Sequence, residues 1–330
     1  VGDHQRSVEY GQRALDIAGS VNDLTLRVRT NLGLGQAYHG LGDYRRAVEA
    51  LERNVDELQG DLLGRRFGLV GVASVLSRAW LVWSLAELGE FARVLPRGEE
   101  AVRIAEAINH PYSRLTAYFG MGCLHLCRGD PGQAIAVLEP ALELCRTWDT
   151  QLRLWFMGVA PALGHAYALV GRTKDALPLL EKAVAQAAAN GSMYGQSLRT
   201  IWLAHAQLID GDRAEARRLA LEALALARRY HERGYEVWIH GILGDIAAQG
   251  NPPDPAAEAA YRGQIALSRE LGMRPRMAIG HLGLGRLYRR IGDADRAREH
   301  LDIAADLFRA MEMSTWLTAA ESERSGLDSR

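Results

Sequence analysis

Small and apolar residues recur along the chain at helical spacing that breaks and restarts at regular intervals. The clearest copy is Gly285 to Ala304, where Gly285, Tyr288, Gly292, Ala297, Leu301 and Ala304 fall at offsets 0, 3, 7, 12, 16 and 19. Residues three and four apart share a helical face, so this spacing predicts a helix, a tight turn at Gly292 and a second helix packed back on the first. Aligned on the turn residue, the pattern repeats at Gly2, Gly42, Gly89, Gly129, Gly171, Gly211, Asn251 and Gly292, with steps of 40, 47, 40, 42, 40, 40 and 41. A glycine there supplies the left-handed conformation that ends the first helix, and the polar residue after it caps the second, as in Gly42-Asp43, Gly211-Asp212 and Gly292-Asp293. Pro131 takes a first helical position.

Where the two helices must approach closely the chain places small residues: Ala47, Ala134, Ala176, Ala216, Ala259 and Ala297, then Ala101, Ala141, Ala183, Ala223, Ala266 and Ala304. The second pair is degenerate, with Val82, Val94 and Gly98 at these anchors. The predicted fold is an all-α superhelical solenoid forming one domain over 1–330: a leading half-repeat over 1–20, seven antiparallel helix pairs over 21–312, and a C-terminal cap and tail over 313–330. Two connections depart from the period, around Gln59 to Arg66 and in the Pro-rich Gln249 to Ala256, which adds roughly three residues; both are expected to be longer linkers. The leading helix lacks a first-helix partner within the sequence, so the N-terminus reads as cut and its uncovered face as a possible homodimer contact.

Composition narrows the function. Hydrophobic residues make up 48%, and 39 Lys and Arg against 40 Asp and Glu leave a net charge of -1, with no basic field for nucleic acid. No basic-then-apolar leader and no apolar run of about 20 residues is present, which excludes a membrane partner and points to the cytoplasm. Cys123, Cys127 and Cys145 sit in apolar helical stretches, as expected of small buried residues; neither a metal site nor a cofactor is expected. Phosphate-loop, metalloprotease and nucleophile-elbow motifs are absent, so the chain reads as a non-enzyme. Gly33-Leu-Gly35 and Gly283-Leu-Gly285 lie inside helices and read as packing glycines.

With its period near 41 the chain resembles tetratricopeptide repeats of a long-period kind. Leu271-Gly-Met-Arg-Pro275, His281 to Gly292 and Met313-Ser-Thr-Trp316-Leu317 more narrowly resemble the C-terminal repeat regions of bacterial class III adenylate/guanylate cyclases that carry an ATPase domain. The cyclase and ATPase motifs of that family are missing, so its catalytic activity does not carry over. The resemblance implies the C-terminal sensory part of a larger bacterial signalling protein.

In a solenoid of this kind the first helices line the concave face, and the residue after the helix anchor points into the groove. That projection selects Gln36, Trp83, Cys123, His165, His205, Asp245 and Arg286, with Arg29, Thr116 and Trp238 in a second row and His39, Arg289 and Arg290 extending the strip. Trp and Arg are common anchors for a partner segment, so a protein or peptide in the groove is the expected ligand. The alternative is a small molecule enclosed by the same strip, in the manner of a transcriptional or cyclase regulator.

Overall fold

The computed structural model describes residues 3–147 and 156–328. Among these lie sixteen α-helices: α1 His4–Ser20, α2 Leu24–Leu41, α3 Tyr44–Glu57, α4 Ala73–Leu88, α5 Phe91–Ile108, α6 Pro111–Arg128, α7 Pro131–Thr147, α8 Phe156–Leu169, α9 Thr173–Ala189, α10 Gln196–Asp210, α11 Arg213–Arg229, α12 Arg233–Ala248, α13 Ala256–Leu271, α14 Arg274–Ile291, α15 Ala294–Ala310 and α16 Ser314–Asp328. α2 through α15 form the seven antiparallel pairs, α1 is the leading single helix, and α16 caps the array. The turns are built as the sequence requires. Gly42 and Gly292 adopt φ of 81° and 83°, while the carboxylates of Asp43, Asp212 and Asp293 accept hydrogen bonds from the backbone N–H groups of Arg46, Glu215 and Arg296. Gly2 lies outside the described residues.

Within a pair the helices touch through the anchors. A Cβ at Gly35, Gly122 or Gly285 would sit 2.5–2.6 Å from the side chain of Leu51, Leu138 or Leu301 on the facing helix. Ala47, Ala134, Ala141, Ala183, Ala297 and Ala304 are fully buried at the same contacts. Ala259 and Ala266 are exceptions: both are exposed, and Ala257 and Gln264 take the buried positions instead. The linker before α13 inserts one residue into this register rather than three, because Gly244 packs on Tyr261 as Gly285 packs on Leu301. In the other long connection a short 3-10 turn at Gly60–Leu62 leads into a linker pinned by buried Phe67.

The first helices form the inner layer, each packed on the next, and the second helices form the outer layer. A buried polar relay ties α2, α3 and α4 together: the Asn54 side-chain amide donates to the Val28 carbonyl (2.8 Å) and the Ser77 hydroxyl (3.1 Å), and its oxygen accepts from Asn31 (3.1 Å).

The winding is tight enough for distant repeats to meet, so contacts are not confined to neighbours. α12 touches α2, and α14 touches α4. At this seam the turn glycine Gly42 lies against the backbone of Gly234, Gly89 lies against Pro275 and Met311, and Gly129 lies against the Trp316 indole. The partner of each of these three turns is thus the element five repeats further on, and the seam narrows the concave face into a channel.

Candidate ligand-binding channel

Because the superhelix meets itself, the inner faces of the first helices converge on an interior channel. α4 is buried along its whole length, so its polar residues must be satisfied inside the fold. Arg78 does so with Glu100, 3.0 Å away. Glu87 accepts a hydrogen bond from the Trp83 indole (3.3 Å), and burial raises its pKa above the ordinary carboxylate value.

Two cavities occupy the channel. The first, of about 330 Å³, is lined mainly by aromatic residues: Trp80 and Trp83 from α4, Phe119 from α6, Tyr194, Trp202 from α10 and Tyr235 from α12. Trp80 and Trp83 stack with ring centroids 5.4 Å apart, and Phe119 meets Trp83 edge to face at 5.3 Å. Arg199 at its rim is held by the carbonyls of Ser192 (3.1 Å) and Tyr194 (2.7 Å), and burial lowers its pKa to about 10.

The second cavity, of about 550 Å³, lies between α8, α10, α12, α14 and α16. His165 stacks on Trp202 at 5.2 Å and packs against His205 at 5.3 Å. Burial holds both imidazoles neutral: His165 is pushed well below its ordinary pKa, and His205 is lowered to about 4. Asp245 accepts a hydrogen bond from the Tyr261 hydroxyl (2.7 Å), while burial raises its pKa to about 6. Arg276 lies over Trp238 with its guanidinium carbon 3.0 Å from the ring centroid.

The structure sorts the residues chosen from sequence. His165, His205, Trp238, Asp245, Arg286 and Arg290 come together around the second cavity, and Gln36 and Trp83 reach the first. Arg29 is exposed and does not line either cavity. Thr116 is buried, with its hydroxyl bonded to the Tyr112 carbonyl (2.8 Å), because its row falls on a helix-helix contact. Arg289 is outside the cavity lining and pairs with Glu323 at 2.7 Å. Buried His39 accepts or donates at Ser84 (3.0 Å) and packs on Trp83, so it supports the first cavity from behind. Cys123, Cys127 and Cys145 are free thiols in the core.

Sequence projection missed Trp80, Trp202 and Arg276. Trp80 and Trp202 stand three residues before Trp83 and His205, so each shares a face with a residue already chosen, whereas Arg276, ten before Arg286, does not fall at that spacing. Among the described residues no group of three or more His, Cys, Asp and Glu could hold a metal, and no helix is long and apolar enough to cross a membrane.

A solenoid of stacked antiparallel helix pairs around an interior channel defines a helical-repeat scaffold. Residues 28–55, 198–222 and 278–302 match models of the tetratricopeptide repeat, so the chain carries multiple helical repeats of that kind. Comparison with curated protein sequences found no match. Among solved structures, a chain of the APC/C hetero-tetramer Cut9-Hcn1 is similar over 96% of this chain and 56% of its own, with a TM-score of 0.61 and 16% identity. The present chain therefore spans little more than half that relative's length. NprR, solved in complex with its cognate peptide NprX, is similar over 89% of this chain and 82% of its own, with a TM-score of 0.61 and 12% identity. PH0952 from Pyrococcus horikoshii, a signal transduction ATPase with numerous domains and a tetratricopeptide repeat sensor, is similar over 86% of this chain and 42% of its own, with a TM-score of 0.53 and 17% identity. At these identities the likeness is one of fold.

Proposed function

We propose that the chain is a non-catalytic recognition module whose channel, formed by one solenoid body over 1–330, encloses a short segment of a protein or a peptide. The observation that carries this reading is the convergence of His165, His205, Trp238, Asp245, Arg286 and Arg290 on one cavity of about 550 Å³. An interior surface of this kind exchanges ligand through the seam, so binding shifts the population of open and closed windings. That property suits the sensory part of a larger cytoplasmic bacterial signalling protein. The fold-level likeness to NprR, whose structure holds a peptide, and to a sensor-bearing ATPase supports the same direction.

A second reading is a metabolite sensor, favoured by cavity volumes of about 330 and 550 Å³ that fall within the roughly 300–1,000 Å³ usual for small-molecule sites. Thermal unfolding in the presence of a random tetrapeptide pool, compared with a pool of common metabolites, separates the two, because a ligand that binds only the folded state raises the midpoint. A rise with peptides alone supports the first reading; a rise with metabolites alone replaces it. Exposed Tyr10, Ile17 and Val21 at α1 and its end offer a surface for a second copy. Light scattering that finds only monomer, at concentrations where peptide binding is measured, would remove that contact from the account.

A further inference from the structure

Resting on the reading of the second cavity as a binding site, we propose that Arg276 is the receptor for a carboxylate on the ligand. Arg276 is 9% exposed, lines the cavity and lies at the first turn of α14. Among the described residues its Nε has no hydrogen-bond partner, and no carboxylate forms a contact ion pair with its guanidinium. Glu87 acts on it through space and the Cys127 thiol shares a hydrogen bond with it, while the Glu87 carboxylate receives the Trp83 indole N–H. A buried guanidinium with an unpartnered Nε and no carboxylate in contact is costly, and an anion delivered into the cavity would remove that cost.

The surroundings select the type of anion. The guanidinium lies over the Trp238 ring, which leaves the edge that carries the unpartnered Nε as donor surface. A planar fork presented edge-on matches a carboxylate, which can accept two parallel N–H bonds. The other two arginines of the lining are already engaged: Arg286 pairs with Glu323 at 2.9 Å, and Arg290 donates to the carbonyls of Ala248 and Gly250. A single cation with one planar donor edge suits one planar carboxylate group over a tetrahedral phosphate. The buried Gln264 oxygen, which has no partner, and the neutral imidazoles of His165 and His205 add polar contacts without adding charge. The carboxylate can be the C-terminus of a peptide or a small organic acid.

Equilibrium dialysis of the full chain against a random tetrapeptide pool, in free-carboxylate and C-terminal amide forms, with succinate and inorganic phosphate run separately, tests the assignment. A charge-assisted pair in an enclosed site predicts at least about tenfold greater retention of the carboxylate pool than of the amide pool. Arg276→Met is expected to abolish that preference while leaving the helical circular dichroism intact. If Arg276→Met does not fold, the carboxylate-to-amide ratio on the unaltered chain decides the matter alone. Retention of succinate with neither peptide pool upholds the carboxylate site and overturns the peptide reading. Equal retention of both peptide pools overturns the carboxylate assignment and leaves the peptide reading standing. Preference for phosphate over succinate, or no retention of any probe, overturns the assignment.

Discussion

Gly42→Ala should destabilise the protein considerably more than Gly292→Ala, although both glycines end a helix in nearly the same conformation. Their φ values are 81° and 83°, so both substitutions carry the same left-handed penalty of roughly 1–2 kcal/mol for an L side chain. The two differ in what the new methyl meets. At Gly292 nothing lies within 4 Å, whereas at Gly42 the Cβ would sit 2.7 Å from the backbone nitrogen of Gly234 and 3.2 Å from its Cα. Backbone cannot swing aside as a side-chain tip can, so an overpacking term of about 1–3 kcal/mol adds at Gly42 alone. Urea unfolding should therefore give a lower midpoint for Gly42→Ala than for Gly292→Ala. Hydrogen exchange should show faster amide exchange at the start of α12 only in Gly42→Ala, because only there is the seam pushed open. Gly171→Ala is a second control, since nothing lies within 4 Å of that position either. Equal losses at Gly42 and Gly292, with unchanged exchange at α12, would refute the closed winding.

Two further predictions concern buried polar groups. Asn54→Ala leaves the Asn31 side chain and the Val28 carbonyl without their partner in the core, and should cost about 2–4 kcal/mol in denaturant unfolding at neutral pH. Burial lowers His39 to about 3 and His205 and His281 to about 4, so the unfolded chain binds more protons than the folded chain below its ordinary value near 6.5. Their contribution is complete above pH 6.5 and is lost as pH falls toward about 4, by about 2 kcal/mol per histidine between pH 7 and pH 5. Asp245, raised to about 6, acts in the opposite sense and returns about 1 kcal/mol over the same window. The net fall in stability toward pH 5 is read from urea midpoints at each pH; a flat profile would contradict the burial of these rings.

The pair count, the turns and the capping helix were legible because each rests on local signals: a left-handed glycine, a capping carboxylate and a small residue at a helix crossing. The register slip at Ala259 and Ala266 was not, since a proline-rich linker hides how many residues it consumes. Closure of the superhelix was hidden for a different reason. It depends on a small rotation accumulated over five repeats, and no single repeat encodes it. Glu87 and Arg276 accordingly went unselected, although both are buried in the fold. Trp83 and Trp238 were singled out on periodicity as faces of an open groove, whereas in the structure they line cavities of the narrowed channel.

The central claim is that ligand enters the channel rather than the outer faces of the array. A random tetrapeptide pool carrying a photoreactive benzophenone, crosslinked to the full chain and mapped by mass spectrometry, tests it most directly. The account predicts adducts on the cavity-facing residues of α10, α12, α14 and α16, suppressed by excess unlabelled pool. Competable adducts confined to the outer faces of α11, α13 and α15 would contradict it.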